Sequence, residues 1–143
     1  MYFISVTRLR VRSFIFFPQF FYENESSIRA IKKIDGFIAG KELVDKKLTF
    51  WTVTLWKSDQ AMKIFRNNNP HKRVMRKLPL WCDEASYTHW LLDEPAIPDW
   101  GTIYKKMITE GKITKVKYPS AQQAAMNYPA PRCTKIERPF KFK

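Results

Sequence analysis

Nine consecutive residues, Leu48 to Trp56 (LTFWTVTLW), carry no charge on either face that a β-strand would present. Leu48, Phe50, Thr52, Thr54 and Trp56 share one face, and Thr49, Trp51, Val53 and Leu55 share the other. An antiparallel strand with one wet face alternates apolar with charged residues. This one is therefore expected to be shielded front and back. The helices of one small domain are expected to cover a single face, so the second cover is assigned to another copy of the chain. A homodimer follows from that reasoning.

The rest of the chain supplies the elements around this strand. Tyr2 to Arg12 alternates with period two, placing Phe3, Ser5, Thr7, Leu9 and Val11 on one side and Arg8, Arg10 and Arg12 on the other. The aromatic run from Phe14, broken at Pro18, leads into a helix expected to reach about Ile34, with Gly36 closing it. Phe37 to Val44 reads as a second strand, and Asp45-Lys46-Lys47 as a tight turn. Ser58 suits the N-cap of a helix over Asp59–Arg66. Pro70 opens another helix whose apolar stripe is Val74, Met75, Leu78 and Trp81, shortened or kinked by Pro79. Ser86 to Leu91 is the fourth strand, completing β-α-β-β-α-β.

The fold class is thus α+β, a ferredoxin-like split βαβ unit in one domain spanning 1–143, with its core at 2–92 and a C-terminal helix and arm at 93–143. Asp99 is expected to cap the helix to Glu110, followed by an extended arm with one short helix near Ser120–Asn127.

Composition narrows the functional classes. A 143-residue chain has room for a core without metals or disulfides. Cys82 and Cys133 form no metal-binding array, so no metal site and no disulfide scaffold are expected. The apolar N-terminus is interrupted by Arg8, Arg10 and Arg12, unlike a signal peptide, and no apolar run is long enough to span a bilayer. A cytoplasmic protein with no membrane partner is expected. The net charge of +13 is dispersed except for HKRVMRK (His71–Lys77) and the tail after Arg132. No nucleic-acid motif accompanies it, so nucleic acid ranks last among partners.

Several stretches resemble a family of small bacterial proteins of unassigned activity: VTRLRVRS (Val6–Ser13), GFIAG (Gly36–Gly40), FWTVTLW (Phe50–Trp56), PHKRVM (Pro70–Met75) and WCDEASYTHW (Trp81–Trp90). PDW (Pro98–Trp100) and EGKITKVKYPS (Glu110–Ser120) extend the likeness to Ser120. That family is similar to the spheroidene-monooxygenase-like and antibiotic-biosynthesis-monooxygenase-like groups. The resemblance implies a dimeric α+β barrel in which two ferredoxin-like sheets face one another. The wider superfamily includes cofactor-free quinone-forming monooxygenases, haem-degrading enzymes, peroxidases and dehydratases, so the fold does not select a reaction.

Candidate chemistry is carried by a few residues. His71 follows Pro70 at a helix start, where the dipole favours a neutral imidazole able to act as a base or iron ligand. His89 sits mid-strand as a second choice, and Asp83 is positioned to orient a substrate or, with Glu84, to pair with the arginines of the first strand. Trp51, Trp56, Trp81 and Trp90 are candidate walls of an aromatic-binding pocket, or else core. Arg8 is a candidate anchor for an anion, or else an edge-strand charge that discourages aggregation. The function expected is a monooxygenase-like reaction on a small hydrophobic or aromatic ligand, with haem or no cofactor. The alternatives are a non-catalytic dimeric ligand-binding module and, third, a basic nucleic-acid surface.

Overall fold

The computed structural model describes residues 1–132 and 136–142. Its strands are β1 (Tyr2–Val11), β2 (Phe37–Asp45), β3 (Thr49–Trp56), β4 (Cys82–Leu92), β5 (Lys112–Ile113) and β6 (Glu137–Lys141). They form one sheet in the order β5-β4-β1-β3-β2-β6, with every neighbouring pair antiparallel. The helices are α1 (Phe17–Ile31), entered through a 3-10 turn at Phe14–Phe16, α2 (Asp59–Arg66), α3 (Asn69–Trp81) and α4 (Trp100–Glu110). The inner order β4-β1-β3-β2 is that of the expected split βαβ unit.

Period two sorts the sheet residues as anticipated. Phe3, Val11, Phe50 and Trp56 pack beneath α1, α2 and α3 with Phe20, Ile28, Ile31, Ala61, Leu78 and Trp81. Ile4, Val6, Trp51, Val53 and Leu55 occupy the opposite face and are fully buried. The cover on that side is not a second copy. Ile103 and Met107 of the chain's own α4 seal it, flanked by Trp90, Trp100, Tyr104 and Met126.

This corrects the premise that one copy shields only one face. The segment after β4 returns across the sheet, and Asp99 starts α4 by accepting the Thr102 amide at 2.7 Å. Ile103 and Met107, four residues apart, then point the same way into the core. Burying side chains of this size stabilises by about 1.5–3 kcal/mol each.

Other boundaries shift for local reasons. Helix α1 stops at Ile31, short of Ile34. Gly36, beyond it, has φ +97°, and a side chain there would meet Ala61 Cβ at 2.6 Å. Strand β4 begins at Cys82, because α3 feeds straight into it without a loop. The segment around Ser120–Asn127 forms successive turns rather than a helix. The tail was expected to be irregular, yet Glu137–Lys141 adds an edge strand to β2. An edge accommodates Pro139, since a residue with no amide proton can face solvent there.

Candidate functional site

His71 lies in the first turn of α3. Asn68 caps this helix by accepting the His71 amide at 3.1 Å, and Pro70 costs nothing so early in the helix because its missing proton has no partner there. The His71 ring is fixed twice. Its Nδ1 is 3.0 Å from the Arg66 carbonyl oxygen, and its plane meets Phe65 edge-on at 4.9 Å. A carbonyl only accepts, so Nδ1 carries the proton and Nε2 keeps a free lone pair. Burial holds the pKa of this imidazole below its usual value, against the raising effect of that bond. His71 is thus neutral near pH 7. It lines an open groove of about 430 Å³ with Arg66, Asn67, Lys72, Met75 and Arg76.

His89 occupies an exposed position on β4 with its ring 5.3 Å from Phe3. Phe3 pairs in register with Trp56, and Trp56 stacks on Phe65 at 6.1 Å. The two histidines therefore flank one aromatic cluster on the helix-covered side of the sheet. Trp56 itself is fully buried, donating Nε1–H to Thr54 Oγ1 at 2.9 Å.

The remaining candidates do not converge there. Asp83 binds Arg10 through two hydrogen bonds of 2.9 and 2.6 Å, at the far end of β1 from Phe3. That separation is about 23 Å at roughly 3.3 Å per residue. Trp81 packs on Phe20 and Trp51 lies on the opposite face; both are core. Trp90 is half-buried under Lys106.

Arg8 is on a central strand, so it is not an edge charge. It is only 3% exposed and donates to Glu84 Oε1 at 2.6 Å. Its guanidinium lies 4.0 Å from the Tyr128 ring centroid and 5.6 Å from that of Trp51. Glu84 also accepts from the Ser120 hydroxyl at 2.7 Å and faces Arg10 at 3.3 Å. Gln123 completes the roof: it bonds both backbone groups of Ala85 at 3.0 Å and accepts the Tyr128 hydroxyl at 2.6 Å. The charge pairing between the first strand and Asp83/Glu84 was legible beforehand, whereas the roof from the arm was not. Three buried polar atoms, Arg8 Nε, Trp51 Nε1 and Thr49 Oγ1, have no hydrogen-bond partner among the described residues.

Two cofactor expectations meet these facts. A haem ring needs apolar walls on both sides, and the groove beside His71 offers Met75 among Arg66, Asn67, Lys72 and Arg76, so these residues do not fit a haem. Among the described residues no group of three or more His, Cys, Asp or Glu side chains is placed to hold a metal ion. Burial pushes the Cys82 thiol up to about 12, which makes it inert; Cys133 lies outside the described residues. The sequence reading missed Arg66, Met75 and Arg76 as groove residues. The signal was there, because Lys72 and Arg76 stand four apart on one helix face, next to His71 and Met75.

No family model and no curated protein matches this chain. Solved structures do. Rv0793 from Mycobacterium tuberculosis superposes with a TM-score of 0.60 at 12% identity, covering 67% of this chain and 100% of its own. A provisionally named antibiotic biosynthesis monooxygenase from Nitrosomonas europaea gives 0.58 at 9% identity, covering 67% and 94%. SnoaB, a cofactor-independent oxygenase from Streptomyces nogalater, gives 0.54 at 13% identity, covering 68% and 98%. Among the described residues no helix is long and apolar enough to cross a membrane. The chain shares its ferredoxin-like α+β fold with these three structures, one named as an antibiotic biosynthesis monooxygenase and one as a cofactor-independent oxygenase.

Proposed function

We propose that this protein is a monooxygenase-like enzyme acting on a small aromatic ligand that bears an ionisable hydroxyl, with the His71 groove as its site. The observation that carries the reading is the fixed His71, which lines one groove with three cationic side chains and whose Nε2 has no hydrogen-bond partner among the described residues. Nε2 accepts the ligand's hydroxyl proton, and Arg66, Lys72 and Arg76 stabilise the anion that results. A naphtholate-type anion can reduce dioxygen itself: one oxygen atom enters the ring as a quinone carbonyl, and the displaced ring hydrogen and the hydroxyl proton leave with the other as water. The ligand supplies all four electrons, an oxygenase reaction without a cofactor, as SnoaB's description has it for that protein. The groove residues Arg66, Asn67, His71, Lys72, Met75 and Arg76 all come from one chain, and a homodimer would have to use a surface other than the face sealed by α4.

Oxygen uptake with electron-rich phenols such as 1-naphthol tests this reading. His71→Ala and His71→Gln are each expected to lower turnover by about 10²–10⁴-fold, the usual worth of a general base. Equal uptake by the wild type and both variants would remove His71 from the mechanism. A second reading, a non-catalytic binding module, draws support from the tryptophans: Trp51, Trp56 and Trp81 fill the core instead of lining a cavity. Ligand binding with no oxygen uptake across the phenol panel would favour it.

A further inference from the structure

We propose that the aromatic, basic end of the molecule around Phe14 and Ile15 is a docking surface for an anionic lipid bilayer. The proposal is independent of the His71 groove, and it replaces the expectation of no membrane partner.

Ser13 caps the 3-10 turn at Phe14–Phe16 by accepting the Ile15 amide at 3.3 Å, and this holds two large side chains outward. Phe14 and Ile15 are each 79% exposed. Phe21 and Tyr22, two helical turns on, are also exposed and continue the same outward stripe. Arg12 gathers further apolar surface to this end. Its guanidinium lies 4.7 Å from the Tyr118 ring and 4.8 Å from Phe16, and its Nε donates to the Leu80 carbonyl at 3.2 Å. Tyr118 and Leu80 are themselves exposed. Contiguous exposed apolar surface of this kind marks an interaction site, unlike scattered single residues.

Charge identifies the occupant. Lys77 shares a groove with Pro18 and Tyr22, and Lys117 stands over Tyr118. Lys46 and Lys47 project from the turn whose Leu48 carbonyl accepts the Val11 amide. The nearby acids are engaged: Glu23 with Arg73, Asp83 with Arg10, and Glu84 with Arg8. The exposed acids Asp35, Asp93 and Glu94 adjoin the opposite ends of β2 and β4. The end at Phe14 is thus both apolar and basic, while the opposite end sets Lys33 and Lys57 beside those acids.

A second copy docking about a two-fold axis would set Arg12, Lys77 and Lys117 against their own kind. A nucleic acid would use the lysines and leave Phe14 and Ile15 in water. An anionic bilayer satisfies both features at once, taking the apolar side chains to the headgroup–acyl boundary and the cations to lipid phosphates.

The test is co-sedimentation of the full chain with phosphatidylcholine vesicles, with and without phosphatidylglycerol. Binding about tenfold stronger to the anionic vesicles, falling with salt, is expected. The double variant Phe14→Ser/Ile15→Ser should bind about tenfold more weakly while keeping its circular dichroism spectrum, since both residues are solvent-exposed. Three results would overturn the proposal: equal binding by the wild type and the double variant; no vesicle binding together with a dimer that the double variant abolishes; or binding to a DNA duplex that exceeds vesicle binding and ignores the double substitution.

Discussion

Arg8 and His71 occupy two polar centres of the same molecule, and the contrast between them separates a structural site from a chemical one. At Arg8, two cations face two carboxylates within 3.3 Å, and Tyr128, Gln123 and Ser120 close over them. A ligand entering there would have to displace Glu84 from a guanidinium, which costs more than most ligands return. At His71, one ring nitrogen is committed to a carbonyl and the other is free beside an open groove. Buried charge alone is a poor guide to function. Unused bonding capacity next to an approachable volume is a better one.

Four changes would break or sharpen that contrast. Ending the chain after Leu92 removes α4 and the arm, and with them the cover over Ile4, Val6, Trp51, Val53 and Leu55 and the roof over Arg8. Light scattering is expected to find larger species than the full chain forms. A truncated chain with the full chain's assembly state and melting temperature would show that α4 is not the cover.

Next in size is Glu84→Ala, which leaves Arg8 charged and unpaired in the interior and should cost about 3–5 kcal/mol in urea unfolding. The double variant Arg8→Met/Glu84→Leu should recover much of that loss, and a loss below about 1 kcal/mol for Glu84→Ala would mean that the pair is solvated.

Gln123→Ala removes the acceptor of the Ala85 amide and of the Tyr128 hydroxyl, while the Ala85 carbonyl keeps the Thr114 amide at 2.9 Å, for about 1–3 kcal/mol. A neutral result in the same unfolding assay would detach the arm from the centre.

The smallest effect belongs to His71→Gln, expected within about 1 kcal/mol at neutral pH. Because burial lowers the folded pKa of His71, its unfolded form binds the proton more readily. Its contribution to stability is fully present above the usual histidine value of about 6.5 and is lost as pH falls from there through the depressed folded value. His71→Gln should flatten that acid limb in pH-dependent unfolding curves. An unchanged limb would show that another group titrates there.

The sheet was legible because its evidence is local. Alternation in Tyr2–Arg12 and in Leu48–Trp56 names both faces of β1 and β3, and the spacing of Asp83 and Glu84 after α3 brings them to the arginines of β1. The candidate site was legible in part. His71 could be picked from its place behind Pro70, but the Arg66 carbonyl that fixes its tautomer comes from the preceding helix, across a turn no periodicity describes. Trp51, Trp56 and Trp81 illustrate two readings that the sequence left open. A large aromatic side chain has the same spacing whether it lines a pocket or fills a core, and all three fill the core.

The amino-acid order by itself determined that β3 must leave water on both sides, since apolar and uncharged side chains on both faces of a strand gain free energy only when covered. Only the tertiary structure decided what covers the second face. Apolar area is non-directional and would be satisfied equally by another copy or by the same chain. The reach of the Asp93–Asp99 segment, and the seating of Ile103 and Met107 on Trp51, Val53 and Leu55, settled it in favour of α4.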